Sequence, residues 1–167
     1  ITDHDLPPVL GVGEIKHEDH TMRLIAGVEL STMHEGRELH LLVYFGGEMP
    51  EAFAEWCRER ARWRARWFDA CTEALGMDDV RADDDAHAGR RTLTRLHLAR
   101  SLVRSGRVSS LSQAFERHVG HSSTVIPSLN QSFMDALEVA KSAGGWTSWA
   151  HPPPVLAERF SADFAAA

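Results

Sequence analysis

Glu29 sits inside the run Met22-Arg-Leu-Ile-Ala-Gly-Val-Glu-Leu-Ser31. The apolar density of that run suits a β-strand covered on both faces. A carboxylate buried there without a partner is costly, so the strand needs an arginine or a metal beside Glu29. Strands alternating with helices at both ends of the chain point to an α/β sheet.

The rest of the chain fits that class. Ile1-Thr-Asp-His-Asp5 reads as the end of a buried strand running into a loop, which Leu6-Pro-Pro8 closes. Glu38–Phe45 is a further strand, joined to the first run through the turn His34-Glu-Gly-Arg37. A long helix is predicted over Glu51–Leu75, with Phe53, Trp56, Trp63, Trp67, Phe68, Cys71 and Leu75 at three- and four-residue steps. Gly76 ends it. Its arginines from Arg58 to Arg66 read as a solvated face. Met77–Arg91, with five aspartates and no apolar pattern, reads as a mobile loop. Helices are predicted over Thr92–Ser105, Leu111–Val119 and Ser132–Ala143, then a strand over Trp146–His151 and a last helix over Val155–Ala165. This order divides the chain into residues 1–76, a helical insertion at 77–130 and a second part at 131–167.

The net charge of −6 removes any general attraction for nucleic acid, so stable duplex binding is not expected. An anionic substrate would need a local cluster of cations or metals. Cys57 and Cys71 are 14 residues apart in one predicted helix, where a disulfide between them is implausible. Free thiols fit a reducing compartment, and the cytoplasm is the expected location. There is no apolar run long enough to span a membrane and no signal-peptide pattern.

The ten histidines matter by position. Asp3, His4 and Asp5 lie where a strand ends, Glu29 and His40 lie within strands, and His151 ends the last strand. Imidazole and carboxylate suit Zn, Mn or Fe. Metals a few ångströms apart would clamp a phosphate and activate water. Taken singly, each of these histidines is more often a structural or surface residue than a ligand, and an arginine would satisfy Glu29.

In order along the chain, "ITDHD", "LIAGVELST", "GRELHLLVYF", "LTRLHLARSLVRSG" and "AGGWTSWAHP" resemble the polymerase-and-histidinol-phosphatase family of metal-dependent phosphoesterases. The resemblance implies a partial (β/α)7 barrel with an inserted small helical domain. It implies that His4, Glu29, His40 and His151 are metal ligands, with Glu29 bridging two ions. Asp3 and Asp5 would orient those ligands. Arg95 and His97 would meet the substrate, Arg95 through paired hydrogen bonds to phosphate and His97 as a phosphate contact or proton donor. A helix bearing an exposed Arg and a half-buried His is an equal reading of that pair. The implied cofactors are two or three divalent ions, manganese first, with iron or zinc as alternatives. The implied substrate is a nucleotide phosphomonoester such as a nucleoside 3′,5′-bisphosphate, and the alternative is 5′-to-3′ degradation of short RNA or DNA.

The chain also departs from that family. Leu96 stands where a Pro is usual between Arg and His, and a Pro run follows His151. The loop Gly120–Pro127 lacks the usual lysine. An opening Asp-Leu-His-x-His strand and a closing Ser-Asp-x-His segment are not found, so the chain is expected to be part of a longer polypeptide. A non-catalytic remnant that acts as a binding module is the reading from a different class.

Overall fold

The computed structural model describes residues 2, 4–8, 12–120, 123–127 and 131–152. The expectations for Asp3 and for a helix over 155–165 lie outside them. The elements are β1 (Gly13–His17), β2 (His20–Leu24), β3 (Ala26–His34), β4 (Arg37–Phe45), α1 (Glu51–Ala74), α2 (Asp84–His87), α3 (Arg95–Arg104), α4 (Leu111–Ala114), a π-helix (Phe115–Val119), α5 (Phe133–Ser142) and β5 (Trp146–Ala150). They fall into two compact units, Ile1–Cys57 with Asn130–Ala167, and Arg58–Leu129.

In the first unit β3, β4 and β5 form an antiparallel sheet in that order. The β3–β4 connection has two central residues, Glu35 and Gly36, both at positive φ (46° and 75°). Such a turn matches the twist of the strands it joins and forces the antiparallel pairing. On the other side of β3, His4 bridges Glu29 in the parallel sense, and the Asp5 N–H donates to the Glu29 carbonyl at 2.9 Å. The fold is mixed α/β, as expected. The described strands pair mostly antiparallel, and no closed barrel is seen among the described residues.

The pleat sorts the side chains of this sheet. Val28 and Leu30 share a face with their partners Val43 and Leu41. That face packs on Phe53, Cys57, Phe133, Ala136, Leu137 and Ala140. Gly145 permits the close approach of strand and helix, since a Cβ there would stand 2.6 Å from Val43 Cγ1 and 3.1 Å from the Ala140 carbonyl oxygen. The opposite face presents Glu29, Ser31, Glu38, His40 and Leu42. The sheet thus commits one face to a dry core and leaves the other for polar chemistry.

β1 and β2 form a separate two-stranded hairpin with Ile15 opposite Met22. Met22 and Arg23 therefore belong to this hairpin, and the second predicted strand breaks at Ile25.

The second unit has its own core, including Phe68, Cys71, Met77, Ala86, Leu93, Leu98, Leu102 and Val119. Two expectations need correction here. Met77–Arg91 holds a helix, not a structureless loop. Asp83 caps α2 by accepting from Ala86 N–H at 3.0 Å, and Asp69 accepts from Ala82 N–H at 2.7 Å. The aspartates there serve as caps and ion-pair partners, with Arg90 on Asp85 and Arg91 on Asp83. The α1 arginines are not all solvated either. Arg60 and Arg64, one turn apart, are buried, and the Arg64 guanidinium lies over the Trp67 ring.

Cys57 and Cys71 are both buried, and neither forms a disulfide. Burial pushes the Cys71 thiol up to about 12, against the opposing charges of Arg95 and Arg64. The unfolded chain therefore ionises this thiol first, near its ordinary value of 9.0. The stabilisation from keeping it neutral is complete below that value and is lost as pH rises toward 12, at about 1.4 kcal/mol per unit. Between about pH 8 and about pH 11, Cys71→Ala should lose less stability than the wild type in parallel denaturant titrations. Equal losses would show that the thiol does not titrate on unfolding.

Candidate metal centre

His4, Glu29 and His40 each offer one ligand atom, and these atoms lie within 4.8 Å of one another. Their assembly follows from the strand pairing. Glu29 is opposite Leu42, so His40, two residues back along β4, is its diagonal neighbour on the same face. His4 arrives through its parallel bridge to Glu29. His40 is paired with Ala150, which places His151 one step beyond the end of β5. His151 has φ +33°, which turns the chain at this point.

Glu29 is the centre of the group. Its Oε1 is 2.7 Å from His40 Nδ1 and 3.5 Å from His151 Nε2. The His40 ring packs edge-on against both His4 (5.3 Å between centroids) and His151 (5.0 Å). Burial alone would raise the Glu29 pKa. The His40 hydrogen bond, the charges of His4 and His40 and the His151 contact outweigh it and hold the carboxyl below its ordinary value. For His40, burial works against protonation, but contacts to Glu38 and Glu29 outweigh it and raise the pKa.

His4, Glu29 and His40 form a donor set that fits Zn, Mn or Fe, and His151 stands at its edge, 3.5 Å from Glu29 Oε1. Glu29 and His40 are each 19% exposed at the side chain, while His151 is 71% exposed. Glu29 and His40 are thus held at the sheet, while His151 is the exposed member of the group.

Asp5 is fully buried beside this group. Its Oδ1 accepts from the Ser31 N–H at 2.9 Å, and this locks the His4 segment onto β3. Glu38, absent from the expected set, stands 3.6 Å from His40 Nε2. The signal for it was its position two residues before His40, on the same face of β4.

Arg95 and His97 belong to the second unit. Arg95 Nη1 donates to the carbonyls of Val119 (3.1 Å) and Gly120 (2.8 Å), at the end of the π-helix. His97 Nδ1 accepts from the Thr94 N–H at 3.1 Å as half of a capping box that opens α3. Burial, then the charges of Arg91, Arg100 and Arg64, lowers its pKa. With Nδ1 accepting, the neutral ring carries its proton on Nε2.

No family model matches the chain. A 5′-3′ exoribonuclease from Haemophilus influenzae is 32% identical over 155 residues, covering 91% of this chain and 57% of that protein. The 5′-3′ exoribonuclease Rnm of Escherichia coli is 28% identical over 158 residues, covering 91% and 54%. The chain thus spans little more than half the length of these relatives. Among solved structures, a Bifidobacterium adolescentis protein provisionally designated a metal-dependent phosphoesterase superposes with a TM-score of 0.59 and 28% identity, over 77% of this chain and 47% of that one. An amidohydrolase from Chromobacterium violaceum, with bound sulfate and no metal, superposes with a TM-score of 0.60, over 99% of this chain and 62% of that one. At 23% identity the latter likeness shows the fold alone.

Proposed function

We propose that this chain carries part of the active site of a metal-dependent phosphoesterase, in which His4, Glu29, His40 and His151 hold divalent metal. The relatives named exoribonucleases and the neighbour designated a phosphoesterase agree with the motif resemblance to the polymerase-and-histidinol-phosphatase family. The observation that carries the reading is the clustering of the Glu29 carboxyl with His4 and His40, with His40 Nδ1 at 2.7 Å and His151 Nε2 at 3.5 Å from its Oε1. Bound metal supplies charge neutralisation at phosphate and activates water at neutral pH. The chain's own residues supply the rest. Glu29 gives the negative charge that attracts the cation, His4 and His40 fix its position from the sheet, and His151 completes the set from its exposed position. Manganese is the favoured ion, and more than one ion is expected.

The names of the relatives favour a short RNA, degraded from its 5′ end, over a mononucleotide as substrate. A nucleoside 3′,5′-bisphosphate presents the same phosphoester chemistry and is kept as the other candidate. Arg95 and His97 are proposed as substrate contacts of the inserted helical part. The Nε2–H of His97, which the Thr94 contact leaves over, is the donor to phosphate. In this reading the described sheet is one segment of a larger (β/α)7-type barrel. The two buried thiols, neither in a disulfide, fit the reducing cytoplasm. Among the described residues no helix is long and apolar enough to cross a membrane.

The test is an assay of the full-length protein with Mn²⁺ on 5′-phosphorylated RNA oligonucleotides and on adenosine 3′,5′-bisphosphate. Hydrolysis of either, abolished by a chelator and restored by Mn²⁺, is the expected result. Inactivity on both with metal bound would support the remnant reading instead.

A further inference from the structure

We infer that Glu38 is a positioning residue for His40, holding the imidazole so that Nδ1 is the nitrogen offered to the metal. The inference rests on the proposed metal centre and goes beyond it, since Glu38 is none of the ligands.

Glu38 is a carboxylate that the proposed chemistry does not use, and its side chain is only 7% exposed. A carboxylate this buried needs a partner. The β4 pleat puts Glu38 and His40 on one face, two residues apart. Glu38 Oε1 lies 3.6 Å from His40 Nε2, while Glu29 Oε1 lies 2.7 Å from His40 Nδ1. The ring is therefore held between two carboxylates, one at each nitrogen. Glu29, which clusters with His4 and His40, meets the His40 ring at Nδ1. Glu38 meets the other edge of the ring and stands outside that cluster.

The two carboxylates then have separate tasks. Glu29 shares the cation with Nδ1. Glu38 accepts from Nε2–H, which fixes the tautomer and the ring plane and strengthens Nδ1 as a donor. The sequence Glu38-Leu-His40 carries this as a unit. Leu39 faces the core and anchors the strand, while its two neighbours face the site.

The test uses the full-length protein with Zn²⁺ as the probe. Calorimetry should give a zinc dissociation constant ~10–100-fold weaker in Glu38→Gln than in the wild type. The metal-free melting temperature should be nearly unchanged, because Gln keeps the volume and one acceptor. Glu38→Asp should recover part of the affinity. In the zinc-loaded wild type, nitrogen NMR of the His40 ring should show zinc on Nδ1 and a proton on Nε2. A folded Glu38→Gln protein with wild-type zinc affinity would overturn the positioning role and leave the metal centre standing. If Glu38→Gln does not fold, the ring NMR of the wild type decides, and zinc on Nε2 overturns the proposal. A wild type that binds no zinc would overturn both readings together.

Discussion

Glu29→Gln should reduce the hydrolytic rate of the full-length protein by about 10³-fold or more while leaving it folded. Gln has nearly the volume of Glu, and its amide oxygen can still accept from His40 Nδ1, now 2.7 Å from Glu29 Oε1. The sheet around it is held by Val28, Leu30, Leu41 and Val43 on the other face, which the change does not touch. What disappears is the only anionic member of the proposed ligand set. Charge stabilisation of several kcal/mol depends on the metal being held there. At 1.36 kcal/mol per decade, a loss of about 4 kcal/mol corresponds to about 10³ in rate. Steady-state rates with Mn²⁺, beside a thermal melt of each protein, check this. A folded variant within about tenfold of wild type would remove Glu29 from the centre.

Asp5→Ala should be the most destabilising of the substitutions considered, by about 3 kcal/mol. Asp5 is fully buried, and Ser31, whose N–H it accepts, is 1% exposed. Alanine leaves that N–H without an acceptor, at about 1–3 kcal/mol. Asp5 also has φ +55°, in the left-handed region. Asp and Asn visit that region through local hydrogen bonding, whereas alanine pays about 1–2 kcal/mol there. Asp5→Asn keeps both an acceptor oxygen and the backbone tolerance, so it should lose much less. Denaturant titrations of the two variants test this ordering. Equal loss in both would mean that charge, rather than the hydrogen bond and the turn, is what Asp5 supplies. Because His4 is adjacent, Asp5→Ala should weaken metal binding as well.

The parts of this fold that were legible in the sequence are those where one periodicity dominates. β4 alternates Leu39, Leu41, Val43 and Phe45 against the core, and α1 repeats its apolar positions at helical steps. The turn at Glu35-Gly36 was readable from its glycine and length. The β1–β2 hairpin was not, because nearly all of its residues are exposed and no buried face marks it. α2 was hidden for a related reason. Its one buried residue is Ala86, and its aspartates read as solvated until their capping partners are seen. The burial of Arg60 and Arg64 depends on tertiary neighbours that no charge count reveals.

The candidate centre shows the same division. His4, Glu29, His40 and His151 are far apart in sequence, and their order and wording marked them. Strand register explains why they meet: a parallel bridge at Glu29, a diagonal to His40, and a β5 that ends beside His40. Glu38 was missed because a Glu near the start of a strand is ordinary, and only its burial beside His40 makes it informative. For Arg95 and His97 the structure adds local duties, tying down the Val119–Gly120 carbonyls and capping α3, that the sequence did not show.

The most direct measurement is anomalous diffraction from crystals of the full-length protein grown with Mn²⁺. The account predicts a manganese peak about 2.0–2.3 Å from a Glu29 oxygen and from imidazole nitrogens among His4, His40 and His151. A well-occupied peak elsewhere, with Glu29 still bonded to His40 and no metal between them, would contradict it.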